Sequence, residues 1–496
     1  MAVIYEDKDR KIVPRWRGAL LTAALGELST TLAPKRDLPN PEFLRKRRED
    51  WERNRQIAYA TDLVSAAFVC GQESLAQDAA EFVVKNQDKA TPSAVRIAKK
   101  VLGEDSSPTP ENIDSRIMIR NLRRRTVQDP HNAIAWTDLA LNYTIQGHPD
   151  KAERAIRTAL SLAPGNRFIL RSAARLYLHQ DQPRIAHDIL RRSEATKHDP
   201  WLLAAEIAIA SISDRTSRWI KAGKELIDSL AGKPHHISEL ASAIATLELG
   251  SGSSRAAKKL FHISLIQPNE NAVAQAGWAS RQNRQLAPEK SPSNVPRTFE
   301  ASSWTHFYKS NWKESLGAAK LWQIDQPFST RPAIHGSFIA GALLQDFKES
   351  CDIVKVGLAA NPEDFTLNNN YVFALINMGD LSGALTILDR MKRFDLTKQD
   401  EVVLAATSGL YHYRKGEREA GRSLYVQALD SARRLSIPKL EALVALFFAQ
   451  EEIKAHTPTA SDTVNLATTL GERVVSSDVK ALVKFVGELF KKDALK

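Results

Sequence analysis

A chain of 496 residues is longer than a single compact hydrophobic core, which predicts either several domains or one elongated array. Hydrophobic residues make up 43% of the chain, an ordinary share for folded proteins that excludes a wholly disordered one. The net charge is +11, with basic clusters at Arg45 to Arg48 and at Arg123 to Arg125. Such charge favours nucleic acid, an acidic protein or an anionic surface as partner, although solvated helix faces would carry the same charge.

Two cysteines, Cys70 and Cys351, lie far apart in apolar helical runs. Each is expected to be a small buried side chain and not part of a disulfide, and so few cysteines are typical of a reducing compartment. No stretch approaches the ~18 apolar residues of a membrane span, and the charged run from Glu6 to Lys11 is unlike a signal peptide. We therefore expect a soluble, cytoplasmic protein with no membrane segment.

The first quarter of the chain predicts helices of mixed character. An apolar helix is expected from about Trp16 to Leu32, and a basic helix begins at Glu42 after a proline-rich loop. Residues 1–45 are therefore interpreted as an N-terminal helix and leader. Residues 46–128 are interpreted as a helical region with one repeat-like pair, interrupted by a linker at 103–112.

The most informative pattern begins at Trp136. If Trp136 is position 4 of a unit, positions 7, 8, 11, 15, 20, 24, 27 and 32 are Leu139, Ala140, Tyr143, Gly147, Ala152, Ile156, Ala159 and Pro164. Small side chains at positions 8 and 20 let two helices approach closely, and larger ones fill the gaps around them. This spacing resembles the tetratricopeptide repeat, a helix-turn-helix unit of about 34 residues. One such unit cannot bury its own apolar face, so neighbouring units are predicted.

A first array of such units is predicted at residues 129–284. A second unit follows in register at Leu170, and the register then loosens. The stretch Leu249 to Ser254 is interpreted as a lengthened turn between two helices, since it lacks the context of a phosphate-binding loop. A helix from about Ala272 to Arg284 lacks a partner helix. Three prolines in residues 285–298 then predict a break between arrays, with a protein-contacting loop as the alternative.

A second array is predicted at residues 299–435, with a clear unit from Leu367 and a last one in which Gly409 and Gly421 occupy positions 8 and 20. Residues 436–496 change pattern and are interpreted as helices that cap the open end, with partner docking as the alternative. The resemblance thus implies an all-α fold, an α-α superhelix (solenoid) of about eight tetratricopeptide-like helix pairs in two arrays with atypical capping helices.

Motifs that carry chemistry were not found. The chain has no His-Glu-x-x-His, no Walker loop, no dinucleotide fingerprint and no paired-cysteine metal spacing. The pair His235-His236 is interpreted as part of a surface turn, because no further ligand stands at metal-binding spacing. We therefore expect neither an enzyme nor a site for a cofactor or metal.

The resemblance implies a concave groove lined by the first helix of each unit. Transferring the family's groove positions places Asn369 and Asn370 in that groove, with Phe373 and Asn377 further along the same helix. An asparagine side chain has both a donor and an acceptor, so it can pair with both backbone groups of one residue in an extended peptide. Hydrogen bonds between helices, or simple solvation, are the alternatives.

Two further groups are candidates for binding a partner. Arg171 and Arg175 stand one helical turn apart at groove positions, which is typical of a clamp for a carboxylate or phosphate. Trp304 and Phe307 belong to an aromatic patch whose side chains could anchor a peptide. Packing in the solenoid core is the alternative for the aromatic residues.

These observations favour a non-enzymatic protein-protein interaction scaffold that binds a partner protein or an extended peptide in its groove. One alternative is a regulatory subunit of a multi-protein complex that holds an enzyme or sensor. Another is a basic helical-repeat protein that binds nucleic acid without sequence specificity, since its groove positions follow no regular code.

Overall fold

The computed structural model describes residues 1–4, 10–26, 41–70, 72–90, 92–103, 115–287 and 295–493. Within these ranges every regular element is helical, as the repeat pattern predicts. The chain divides into two compact units. The smaller unit is Ser29–Glu111, and the larger unit joins Met1–Leu28 to Asn112–Lys496.

The smaller unit is a cluster of four helices: α2 Pro41–Arg53, α3 Ile57–Cys70, α4 Gln77–Lys85 and α5 Pro92–Val101. Small residues such as Ala60, Ala67 and Ala80 are fully buried where these helices meet. Trp51 packs edge-on against Phe82, with 5.1 Å between ring centroids. The predicted linker lies outside the described residues apart from Gly103.

The larger unit contains a short helix near the N-terminus and a long series of helix pairs. In chain order these helices are α1 Ala19–Ala24, α6 Ser115–Gln128, α7 Ala133–Ile145, α8 Pro149–Leu162, α9 Arg167–His179, α10 Pro183–Arg192, α11 Pro200–Ile212, α12 Ile220–Ser229, α13 Pro234–Gly250, α14 Ser254–Ser264, α15 Glu270–Gln282, α16 Phe299–Tyr308, α17 Trp312–Asp325, α18 Thr330–Phe338, α19 Phe347–Ala360, α20 Phe365–Met378, α21 Leu381–Met391, α22 Lys398–Lys415, α23 Arg418–Arg434, α24 Pro438–Lys454, α25 Ala460–Glu472 and α26 Ser477–Asp493. A π-helical turn, Ile339–Leu343, extends α18.

Local sequence determines where these helices begin and end. Asn132 caps α7 and Asn166 caps α9, each accepting a hydrogen bond from the backbone three residues later. Proline stands in the first turn of α8, α10, α11 and α13, where the missing N–H costs no helical hydrogen bond. Gly379 and Gly416 end α20 and α22 in the left-handed region, at φ +87° and +92°.

The small residues at positions 8 and 20 bring paired helices together, as the spacing predicts. Ala140 and Ala152 are fully buried between α7 and α8. Helices α22 and α23 also approach closely, and a Cβ on Gly409 would lie 3.0 Å from the backbone oxygen of Gly421. The predicted burial of Cys351 is also confirmed, whereas the side chain of Cys70 is outside the described part of the chain.

Three local predictions are wrong. Helix α1 begins at Ala19 and not at Trp16: Trp16 and Arg17 precede the helix and contact Phe328 and Asp325, far along the chain. Residues 27–32 of that prediction are not described. His235 and His236 lie in the first turn of α13, since Pro234 starts the helix instead of ending a turn. Helix α13 also continues to Gly250, so the connection to α14 is short.

The proline-rich break is only partly visible, because residues 288–294 lie outside the described ranges. A 3-10 turn, Arg284–Leu286, precedes them. None of the described helices combines the length and hydropathy that crossing a bilayer requires.

The contact between Gly409 and Gly421 generates a test of helix packing. A Cβ on Gly421 would lie 2.6 Å from a ring carbon of Tyr413 and 2.9 Å from the backbone oxygen of Gly409. We expect Gly421→Ala to destabilise the larger unit by ~1–3 kcal/mol, because neither helix can move without disturbing its neighbours. Urea denaturation followed by circular dichroism measures the change. The matched control is Gly317→Ala in α17, where a Cβ meets nothing within 4 Å and helix propensity should make the change neutral or stabilising.

Candidate functional site

The groove formed by the inner helices of the larger unit holds the beginning of the same chain. We call the described residues 1–4 and 10–18 the N-terminal segment. Asn370 on α20 pairs with both backbone groups of Val3: its Oδ1 accepts from the Val3 N–H at 2.9 Å, and its Nδ2 donates to the Val3 carbonyl at 3.0 Å. Asn369 donates to the carbonyl of Met1 at 2.7 Å. Two adjacent asparagines thus bind an extended backbone.

Hydroxyl groups on neighbouring inner helices hold these amides in place. The Thr407 hydroxyl on α22 donates to Oδ1 of Asn369 at 2.6 Å and accepts from the Met1 nitrogen, also at 2.6 Å. Asn370 donates to the hydroxyl of Ser337 on α18 at 3.1 Å. Both asparagines and both hydroxyl side chains are fully buried, so these hydrogen bonds form away from water.

Further along, α15 binds the backbone of residues 10–13 with the same chemistry. Gln275 donates to the carbonyl of Arg10 at 2.8 Å, and Asn271 donates to the carbonyl of Val13 at 2.9 Å. Gln275 is fixed in turn by donating to Thr246 at 2.9 Å. The helix that the sequence left without a partner helix therefore contacts the N-terminal segment.

The arginines of the N-terminal segment form buried ion pairs with carboxylates of the groove. Arg10 contacts both oxygens of Glu300, at 3.0 and 3.1 Å, and Arg15 pairs with the same carboxylate. Arg17 contacts Asp325 and Glu270, each at 2.7 Å. These carboxylate side chains are at most 6% exposed, so their charge requires the guanidinium groups.

Arginines of the groove itself share these carboxylates. Arg331 pairs with Glu300 at 2.7 Å, and Arg297 with Asp325 at 2.5 Å. Burial raises the pKa of the Glu300 carboxyl, but the nearby guanidinium groups outweigh it and hold that pKa well below its usual range. The Glu300 carboxyl therefore stays ionised at neutral pH, with guanidinium groups on more than one side of it.

Apolar contacts also hold the N-terminal segment in its binding site. The ring of Trp16 meets Phe328 edge-on, with 5.6 Å between centroids. Ile12 is 1% exposed in a core cluster shared with Leu203 and Ile244. At the far end, Asp138 on α7 accepts from the backbone N–H of Ala19 at 2.9 Å, and burial raises the pKa of its carboxyl to about 6.

Asn370 pairs with both backbone groups of one residue and Asn369 contacts a single carbonyl, but this backbone belongs to the same chain, and binding of a partner by the two asparagines stays a prediction. Asn377 accepts a hydrogen bond from Arg414 at 3.1 Å and donates to the Phe373 carbonyl within α20. Phe373 is 3% exposed and packs edge-on against Phe447, with 5.4 Å between ring centroids. Participation of these residues in binding a partner stays a prediction.

Arg171 and Arg175 contact different groups. Arg171 is buried and pairs with Glu239 on α13 at 2.8 Å. Arg175 lies over the ring of Phe328 at 4.9 Å, and burial, followed by the charges of Arg15 and Arg331, lowers its pKa to about 10. A carboxylate or phosphate clamp built from this pair stays untested.

Trp304 and Phe307 pack around a histidine. The ring of His335 lies 4.1 Å from that of Trp304 and 5.1 Å from that of Phe307, measured between centroids. Both aromatic residues are buried, at 8% and 0% exposure. In this arrangement they form part of the solenoid core, and a role in anchoring a peptide stays a prediction.

The sequence analysis missed the residues that bind Arg10 to Arg17. Asn271 and Gln275 stand one turn apart on α15, a spacing that places two amides on one helix face. That signal was available from sequence. Glu300 and Asp325 carried no such signal, because an isolated acidic residue on a helix is ordinarily a solvated one.

Comparison with known proteins adds little on function. No protein-family model and no curated protein matches the chain. Among solved structures, the human IFIT1 dimer with PPP-AAAA has 13% identity, a TM-score of 0.36, and coverage of 77% of this chain and 93% of that chain. A tetratricopeptide repeat protein from Parabacteroides merdae has 13% identity, a TM-score of 0.25, and coverage of 66% and 99%. Yeast Tom70 has 11% identity, a TM-score of 0.29, and coverage of 91% and 96%. At these values the likenesses carry no argument about ligands.

The buried His335 generates a pH prediction. Burial, and then the charge of Arg331, lowers the pKa of its imidazole to about 3, with Glu300 acting in the opposite direction and Arg281 adding to the decrease. The unfolded chain therefore takes up a proton below about pH 6.5 that the folded chain does not, so stability falls as the pH falls from about 6.5 towards 3, by at most ~1.4 kcal/mol per pH unit.

We expect His335→Phe to reduce the loss of stability between about pH 7 and about pH 5, measured as the change in urea midpoint. His262→Phe, at an exposed position on α14, is the matched control and should keep the wild-type slope. An unchanged slope in His335→Phe would show that other groups govern the acid response.

Proposed function

We propose that this chain, an all-α superhelix of tetratricopeptide-like helix pairs, is a non-enzymatic scaffold for protein-protein interaction whose groove binds an extended segment. The observation that carries the proposal is the paired hydrogen bonding of Asn370 with the N–H and C=O of Val3. That contact involves the backbone of the bound residue and not its side chain, so it suits any chain that enters the groove in extended form.

Repetition of this contact along the groove supports the proposal. Amides of α20 bind residues 1–3, and amides of α15 bind residues 10–13. Main-chain recognition at separate places along one groove is what a binder of extended peptides requires. A regulatory subunit that holds an enzyme or sensor would use the same groove, and it differs only in needing an obligate partner.

A split chain tests the groove directly. A protease site inserted between Leu28 and Ser29, at the boundary of the two units, releases the covalent tether while keeping every native residue. A labelled peptide of residues 1–26 should then exchange into the groove of the cleaved protein, as followed by fluorescence anisotropy. Asn369→Ala with Asn370→Ala should weaken binding of the peptide at least about tenfold, because each backbone group left buried without a hydrogen bond costs ~1–3 kcal/mol.

Asn465→Ala, at an exposed position on α25, is the matched control and should bind the peptide as the wild type does. Circular dichroism of each variant establishes that the helices are intact. Equal affinity in the asparagine variant and its control would contradict the proposal that these amides bind the peptide.

A second candidate function rests on α6. Its fourteen residues include no carboxylate, and Arg120, Arg123, Arg124 and Arg125 are exposed. The basic cluster on α2 differs, because Arg47 pairs with Asp62 at 3.4 Å and Arg48 with Asp78 at 2.6 Å. The exposed charge on α6 favours binding to nucleic acid phosphates without sequence preference.

This second candidate predicts salt-dependent binding of a labelled single-stranded oligonucleotide. Arg123→Glu with Arg124→Glu should weaken binding at low salt and flatten its salt dependence, because each phosphate contact contributes to the slope. Arg47→Glu, which alters the paired cluster on α2, is the comparison variant. Negligible affinity of the wild type at low salt would exclude the idea.

A further inference from the structure

The N-terminal segment occupies the place that a partner would need. It covers amides on α15 and α20 and carboxylates on α15, α16 and α17. Since the proposed function needs this groove, any partner segment must first displace the N-terminal segment. A partner segment would therefore compete for the groove with the N-terminal segment of the same chain.

The buried carboxylates of the groove determine which ligands can replace the N-terminal segment. Among the described residues, Glu270 has its ion pair from Arg17, and Asp325 is paired with Arg17 and Arg297. Without the segment these carboxylates would be hydrated. A new occupant that covered them again without supplying cations would bury Glu270 and Asp325 without the positive charge of Arg17, which is unfavourable even though Arg297 still pairs with Asp325.

The geometry favours arginine over lysine as that cation. Arg10 uses Nε and Nη2 on the two oxygens of Glu300, at 3.0 and 3.1 Å. Arg17 uses Nε and Nη2 on Asp325 while Nη2 also reaches Glu270 at 2.7 Å. One ammonium group cannot make both contacts of such a fork.

We propose that the N-terminal segment is a competitor within the chain for its own groove, and that the partner which displaces it presents an extended segment with two arginines spaced like Arg10 and Arg17. This inference rests on the proposed function, because it names the ligand class of the same groove. A tethered segment competes at a high effective concentration, so only a ligand that matches both the amides and the carboxylates can replace it.

The test uses the full chain and two labelled peptides. One peptide carries residues 1–26 as they stand, and the other carries Arg10→Gln and Arg17→Gln. Each is titrated against the wild-type chain and against a full chain with the same two substitutions, which weakens the tethered competitor and leaves the groove intact. The native peptide should bind the substituted chain at least tenfold more tightly than the wild type, and the glutamine peptide should bind it at least tenfold more weakly than the native peptide does.

Each of the other possible results contradicts a specific part of the proposal. Equal binding of both peptides would remove the arginine requirement while leaving the groove a peptide binder. Equal binding of the native peptide to both chains would show that the N-terminal segment does not compete with the peptide for the groove. Binding of neither peptide to a folded chain would contradict the proposed function as well. Dimerisation of the substituted chain, seen by light scattering, would make a second copy the occupant.

The cleaved chain keeps the test valid if the substituted chain does not fold. It contains every native residue, and the same two peptides can be exchanged into it. Preference for the native peptide by at least tenfold supports the inference. No preference contradicts it.

Discussion

The carboxylates of Glu300 and Asp325 lie inside the protein, and a buried charge needs a partner. Arg331 and Arg297 of the groove supply some of the compensating positive charge. The N-terminal segment supplies the remainder through Arg10, Arg15 and Arg17. Residues 10–18 form no helix, and from this stretch Arg17 places its guanidinium between Asp325 and Glu270. The inner surface and the N-terminal segment therefore depend on each other.

The helical repeat explains how one surface can collect these groups. Most residues that contact the N-terminal segment stand on α15, on α16, α20 and α22, which are the first helices of their pairs, and at the end of α17, which carries Asp325. Small residues inside each pair, such as Ala140 with Ala152, leave the inner face free for polar side chains. Packing and binding thus use different positions of the same repeat.

The distribution of charge shows why net charge alone says little about partners. The chain is basic by +11, yet many of its arginines are engaged with carboxylates, both in the groove and on α2. The exposed arginines of α6 are different, because that helix has no carboxylate of its own. The same residue type therefore stabilises structure in one place and offers a surface for anions in another.

The sequence by itself determined the helix pairs, and it indicated that an amide such as that of Asn370 can pair with extended backbone. Helix packing depends on residues a few positions apart, and an amide pairs with extended backbone wherever it meets one. Only the tertiary structure decided which backbone that is, since Asn370 and Val3 stand 367 residues apart in the chain. It also decided that Trp16 and Arg17 lie outside α1 and that Arg171 pairs with Glu239. These outcomes depend on distant side chains that become neighbours only when the superhelix forms, so no local pattern could carry them.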